Sequence, residues 1–210
     1  MDQQKEIFNS LVFGLFPSYL ADILYPRRSA NDIIYREAAY KILERQEKGT
    51  PSVEHDAVFL FYGVSKRSRV WKVMERDAVS IEIKTTKGDI WESDVTKYLN
   101  ATRLFFIAAP LKLLPEIIER YHEHSRMDSI GIIDSDSGQI VVMPRYQNYS
   151  KSRRDTLLSH CYTSAHRIPF LHDTEPYQMS RVQTGAVRKP KFEVKGGLLV
   201  NVEYLKLFER

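Results

Sequence analysis

Strand-like and helix-like segments follow one another in an order that limits this chain to one fold class. Residues 31–49, NDIIYREAAYKILERQEKG, carry Ile34, Ala38, Ile42 and Leu43 at helical spacing. Asn31 or Asp32 can cap them, and Gly49 and Pro51 can stop them, so the spacing predicts a helix. Residues 56–63, DAVFLFYG, are dense in aromatic and β-branched side chains and read as a strand. A polar, basic stretch over 64–77 follows, either a long connection or a short extra strand. Residues 78–84 are a second strand, 88–102 a loop into a short helix, and 103–110 (RLFFIAAP) a continuous apolar strand. A helix broken near Pro115 over 111–128 leads to two strands, 129–134 and 139–144. The SDSG between them is a hairpin signal. Helix, strand, strand, helix, strand, helix and hairpin predict an α/β fold with a central mixed sheet flanked by helices.

The 210 residues, 43% of them hydrophobic, suffice for one domain with a sizeable core. Residues 1–30 contain the apolar run LVFGLFPSYLADILYP. Pro17, Ser18 and Asp22 interrupt it, and it is too short to span a bilayer. It is expected to pack on the core, and no membrane partner is expected. One cysteine, Cys161, excludes an intrachain disulfide and suits a reducing, cytoplasmic compartment. The formal charge of +4 and pI near 9.0 are compatible with a polyanionic partner.

The strand at 78–84 reads AVSIEIK. Side chains two apart on a strand share a face, so Val79, Ile81 and Ile83 point one way and Glu82 and Lys84 the other. One acid and one base therefore stand side by side. If the strand beginning at Asp56 is its neighbour, Asp56 lies beside Glu82 at one end of the sheet, with Glu37 on the helix before both. Paired carboxylates suit Mg²⁺, a hard ion that prefers oxygen ligands and retains waters. The ion would polarise a phosphate oxygen and lower the pKa of a bound water. A neighbouring ammonium would orient that water and stabilise the charge that develops. Asp56 and Glu82, with the Ile83 carbonyl, are the expected metal ligands, and Lys84 and Glu37 complete the expected catalytic set. Asp77 is a rival to Asp56, but five residues before Glu82 on a continuous strand it falls on the opposite face. Glu44 is a rival to Glu37.

Glu37, Asp56 and Glu82-Ile83-Lys84, in that order, resemble the PD-(D/E)xK nuclease superfamily with its restriction-endonuclease-like core. Residues 81–110 further resemble the MmcB-like DNA repair family, through Thr85, Thr86, Asp89, Asp94, Lys97 and Tyr98 after the acid-x-lysine and the strand ending Ala108-Ala109-Pro110. Gly131 to Asp134 and the pair Arg153, Arg154 also fit. The resemblance is specific over 79–110 and looser over 31–167, and residue 55 is His where the superfamily has Pro. It implies a Mg²⁺-dependent nuclease, with Mn²⁺ as a substitute, that cuts phosphodiester bonds in DNA repair or processing. Lys97, Tyr98, Arg153 and Arg154 would then contact DNA. Paired cuts would suit a homodimer. The alternative is a nucleic-acid-binding or accessory protein that keeps the fold without cutting. Residues 31–167 would form the nuclease-like domain, and 168–210 a basic extension returning to the body.

Overall fold

The computed structural model describes residues 2–14, 16–25, 32–44, 52–67, 70–73, 77–89, 95, 97–121, 126–164, 167–170 and 190–209. Helices α1 (Gln3–Phe13) and α2 (Phe16–Leu24) precede strands β1 (Asp32–Glu44), β2 (Val53–Arg67), β3 (Val70–Val73), β4 (Asp77–Ile83) and β5 (Leu104–Ala109). Helix α3 (Leu114–Tyr121) and the hairpin β6 (Ile130–Asp134) and β7 (Gln139–Met143) follow. Then come helix α4 (Lys151–Thr163), β8 (Arg167–Phe170), and the terminal hairpin β9 (Phe192–Lys195) and β10 (Leu198–Asn201).

The strands form one ten-stranded sheet in the order β8-β1-β2-β4-β5-β6-β7-β10-β9, with β3 paired to β2. The β1, β2 and β4 pairings are antiparallel, and those of β4 with β5 and β5 with β6 are parallel. The protein is thus an α/β fold built on a large mixed sheet flanked by helices and not closed into a barrel. No helix among the described residues is long and apolar enough to cross a membrane.

Both faces of the sheet are covered. Val79, Ile81, Ile83, Leu104, Phe106 and Ala108 pack with α1 and α2 through Phe8, Leu11, Phe16 and Leu20. Phe105, Ile107 and Ala109 face the other way, against α3, Tyr98 and Leu99. Ala78, Val58 and Leu60 do the same against Leu157, Leu158 and Cys161 of α4. A parallel pair such as β4 and β5 needs cover on both faces, and here every residue of both strands is buried. Gly131 is where β6 meets this core most closely. A Cβ there would fall 2.2 Å from a ring carbon of Phe106, so only glycine fits without displacing a fully buried ring.

The helix expected over 31–49 is corrected by the structure: the described part of it, Asp32–Glu44, is strand β1. Its register with β2 runs from Asp32 opposite Ser65 to Glu44 opposite Val53. Ile34 and Ala38, four apart, share a face on a strand of period two as they would on a helix, whereas Ile42 falls on the other face. Leu43 separates the two readings, because the helix would bury it and it is 44% exposed.

Alternation breaks at one point shared by β1 and β2. Lys41 has φ 51°, the left-handed region that side chains with a Cβ rarely occupy. As a result Ala39 and Ile42, three residues apart, enter the same cluster under α4. Directly across the ladder, Ala57 faces α1 and α2, whereas Val53, four residues further along β2, packs on the opposite face. The two strands therefore exchange faces together, at Lys41 and Asp56.

Candidate active site

Asp56 sits at this break. The β2–β4 ladder runs as far as Ala57 opposite Ile81. One residue further, the Asp56 carboxylate replaces the main chain and accepts the Ile83 amide at 2.8 Å. That places it beside Glu82 on the neighbouring strand. Asp56 is 8% exposed and Glu82 9%, so both carboxyls are taken out of water. Burial first, and the Glu82 charge second, push Asp56 up to about 7, against the pull of the Ile83 amide and the Lys84 ammonium. Ionising Asp56 sets a second buried negative charge beside Glu82, a cost that a bound cation would relieve.

Lys84 and Glu82 share a face as expected, and Lys84 Nζ donates to Glu82 Oε1 at 3.0 Å. That face is not solvated, since Lys84 is 4% exposed. The other oxygen, Glu82 Oε2, is buried and accepts from no donor among the described residues. An orphaned carboxylate oxygen near a second buried carboxylate is a poor arrangement for stability alone and a good one for a hard cation. Among the described residues no group of three or more His, Cys, Asp and Glu side chains comes together at metal-binding range. The donor set is a carboxylate pair, which suits an ion that completes its shell with backbone oxygen and water. The Ile83 carbonyl, the expected third ligand, accepts from the side-chain amide of Gln4 in α1 at 3.2 Å.

Other expected site residues lie elsewhere. Glu37 is corrected: it is on β1, opposite Leu60, four residues along β2 from Asp56, or about 13 Å at the usual strand rise. It is buried away from the pair because the segment carrying it is a strand and not a helix. Asp77 opens β4 at the far end and binds Arg103 at 3.2 Å, consistent with its rejection as the first carboxylate. Tyr98 is a core residue, stacked on Phe105 with ring centroids 5.3 Å apart. Lys97 is exposed and lies over the Tyr98 ring at 5.0 Å. Arg154 is 8% exposed and donates to Tyr149 and Asp155. Asp94 lies outside the described residues.

Arg153 belongs to a buried network that the sequence did not reveal. Its Nε and Nη2 donate to the two oxygens of Glu44 at 2.7 and 2.8 Å, and further donors reach the Leu99 and Lys97 carbonyls. Glu44 also meets His55 Nε2 at 3.0 Å, and His55 Nδ1 meets Ser80 Oγ at 2.6 Å. Burial acts to raise the Glu44 carboxyl. Hydrogen bonds from His55 and Arg153 more than offset it and hold the group at about 2. Serine, histidine and glutamate in hydrogen-bonded sequence have the composition of a nucleophilic triad. Ser80 and His55 are both 0% exposed, in the middle of a sheet covered on both faces, so no substrate reaches them. The network locks β1, β2, β4 and α4 together behind the acid pair.

No protein-family model matches the chain, and no curated protein matches its sequence. Among solved structures it is similar to a protein of unknown function from Silicibacter pomeroyi, at 16% identity and a TM-score of 0.39, over 60% of this chain and 71% of that one.

Proposed function

We propose that this protein is a Mg²⁺-dependent nuclease that hydrolyses phosphodiester bonds in DNA, in repair or processing. One observation carries the reading. Asp56 and Glu82 are buried side by side on adjacent strands, with one carboxylate oxygen of Glu82 unpartnered among the described residues, and a buried lysine stands against Glu82. Asp56, Glu82 and the Ile83 carbonyl would hold the ion, with Gln4 sharing or yielding that carbonyl. When bound, Mg²⁺ supplies Lewis acidity at a phosphate oxygen and acidifies a water. Asp56 and Glu82 then act as ionised ligands. Lys84, held by Glu82, presents its ammonium where negative charge develops during displacement at phosphorus. The resemblance of the acid-x-lysine strand to the PD-(D/E)xK superfamily supports the same chemistry, and Mn²⁺ would substitute for Mg²⁺.

The test is incubation of labelled single-stranded, duplex and branched DNA with the protein and Mg²⁺ or Mn²⁺. Cutting is expected on at least one substrate, absent in EDTA, and reduced on the order of 10²–10³-fold in Lys84→Met. Salt-sensitive binding without cutting on any substrate would contradict the nuclease reading and favour a binding role.

A further inference from the structure

The α1 N-terminus closes over the same end of the sheet. Asp2 caps α1, its Oδ1 accepting the Gln4 amide at 3.1 Å. Its other oxygen faces away from the helix. Asp2 Oδ2 accepts from the Tyr40 hydroxyl at 2.8 Å and lies 4.0 Å from Lys41 Nζ. One carboxylate is thus held by a hydroxyl and an ammonium from adjacent residues of β1. Two residues on, Gln4 grips the Ile83 carbonyl of the candidate metal set. The hydroxyl–ammonium pair and the Ile83 carbonyl are therefore bridged by less than one turn of helix.

Three features mark the Tyr40–Lys41 pair as more than a surface contact. Lys41 occupies the ladder position opposite Asp56, between the pairs Tyr40–Ala57 and Ile42–His55. Its left-handed backbone is what turns the strand at that point. The Tyr40 phenol, 7% exposed, is raised by burial and by its bond to Asp2, and the Asp56 charge reaches it as well. The Lys41 side chain is 40% exposed and its ammonium lies 5.4 Å from the Tyr40 ring centroid, so it reaches solvent from a supported position.

We infer that Tyr40 and Lys41 form a phosphate subsite for the DNA backbone at the end of the sheet that carries the acid pair, on the α1 face opposite to Glu82, and that the Asp2 carboxylate occupies it as an internal stand-in for the phosphate. This rests on the nuclease reading for the identity of the ligand. A backbone phosphate of DNA reaching round that end of the sheet would displace Asp2, accept from the Tyr40 hydroxyl and pair with Lys41. Asp2 would leave that pair while its other oxygen still caps α1.

The inference is tested by fluorescence anisotropy of a labelled DNA oligonucleotide, single-stranded and duplex, across a salt series in EDTA. Lys41→Met should weaken binding several-fold and lower the slope of log affinity against log salt by about 1. Asp2→Asn keeps a capping oxygen and removes the competing charge, so it should tighten binding several-fold at unchanged melting temperature. Unchanged affinity in either variant overturns the inference. Because no metal is present, failure of the protein to cut DNA leaves this result standing. Cutting by a protein whose binding ignores both substitutions removes the subsite and leaves the nuclease reading intact.

Discussion

Asp56→Asn should melt higher than the wild type at pH 8 while losing metal-dependent cleavage altogether. Asn keeps an oxygen for the Ile83 amide and removes a charge that the fold holds at a disadvantage. The sign follows from linkage. Asp56 is raised from 3.8 to about 7 in the folded protein, so the native state binds more protons than the unfolded chain between those values. The associated stability is fully present below about pH 4 and is lost as pH rises through 7. Above that, the metal-free protein carries an ionised carboxylate in poor solvent beside Glu82, a burden on the order of 4 kcal/mol. The gain from Asp56→Asn should therefore appear at pH 8 and vanish near pH 4. Thermal melts in EDTA at the two pH values check it. A variant that melts lower than the wild type at pH 8 would mean that Asp56 is a structural anchor and not a strained ligand.

Arg153→Ala should have the opposite effect, a loss of roughly 3 kcal/mol at neutral pH. Glu44 is 1% exposed and receives two of its hydrogen bonds from this guanidinium. Truncation leaves a buried carboxylate with only His55. Arg153 is itself 24% exposed on its side chain, and water entering the vacated space keeps the loss near the lower end of what broken buried pairs show. Denaturant titration measures it. The loss should shrink as pH falls toward 2, because protonated Glu44 no longer needs the cation. A loss below about 1 kcal/mol would place the pair among ordinary surface ion pairs.

The sheet was legible in the sequence wherever a strand had to be buried on both faces or end in a turn. The apolar run of β5, the amphiphilic β4 and the SDSG hairpin each admit little else. β1 was not legible, because Ile34 and Ala38, four apart, fit both periods, and the change of face at Lys41 has no signal in its own segment. Only the exposure of Leu43 and the partner strand decide between them. The acid pair was legible for a local reason: Glu82 and Lys84 are two apart on a strand, and Asp56 begins its apolar neighbour. Glu37 misled because its place depended on a helix that is not there. Arg153 read as a cation free for DNA, since nothing in its own segment points to Glu44, 109 residues away. Asp2, Gln4, Tyr40 and Lys41 meet only through the tertiary fold. Of these, Asp2 alone carried a local signal, as an acidic cap before a helix.

The central claim is that Asp56 and Glu82 share a divalent cation. Calorimetric titration of Mn²⁺ into the protein at pH 7, in two buffers of different ionisation enthalpy, tests it most directly. One site is expected, with protons released on binding because Asp56, half protonated near 7, must ionise to coordinate. The site should be absent in both Asp56→Asn and Glu82→Gln. Binding that survives both substitutions, or no binding by the wild-type protein, would contradict the account.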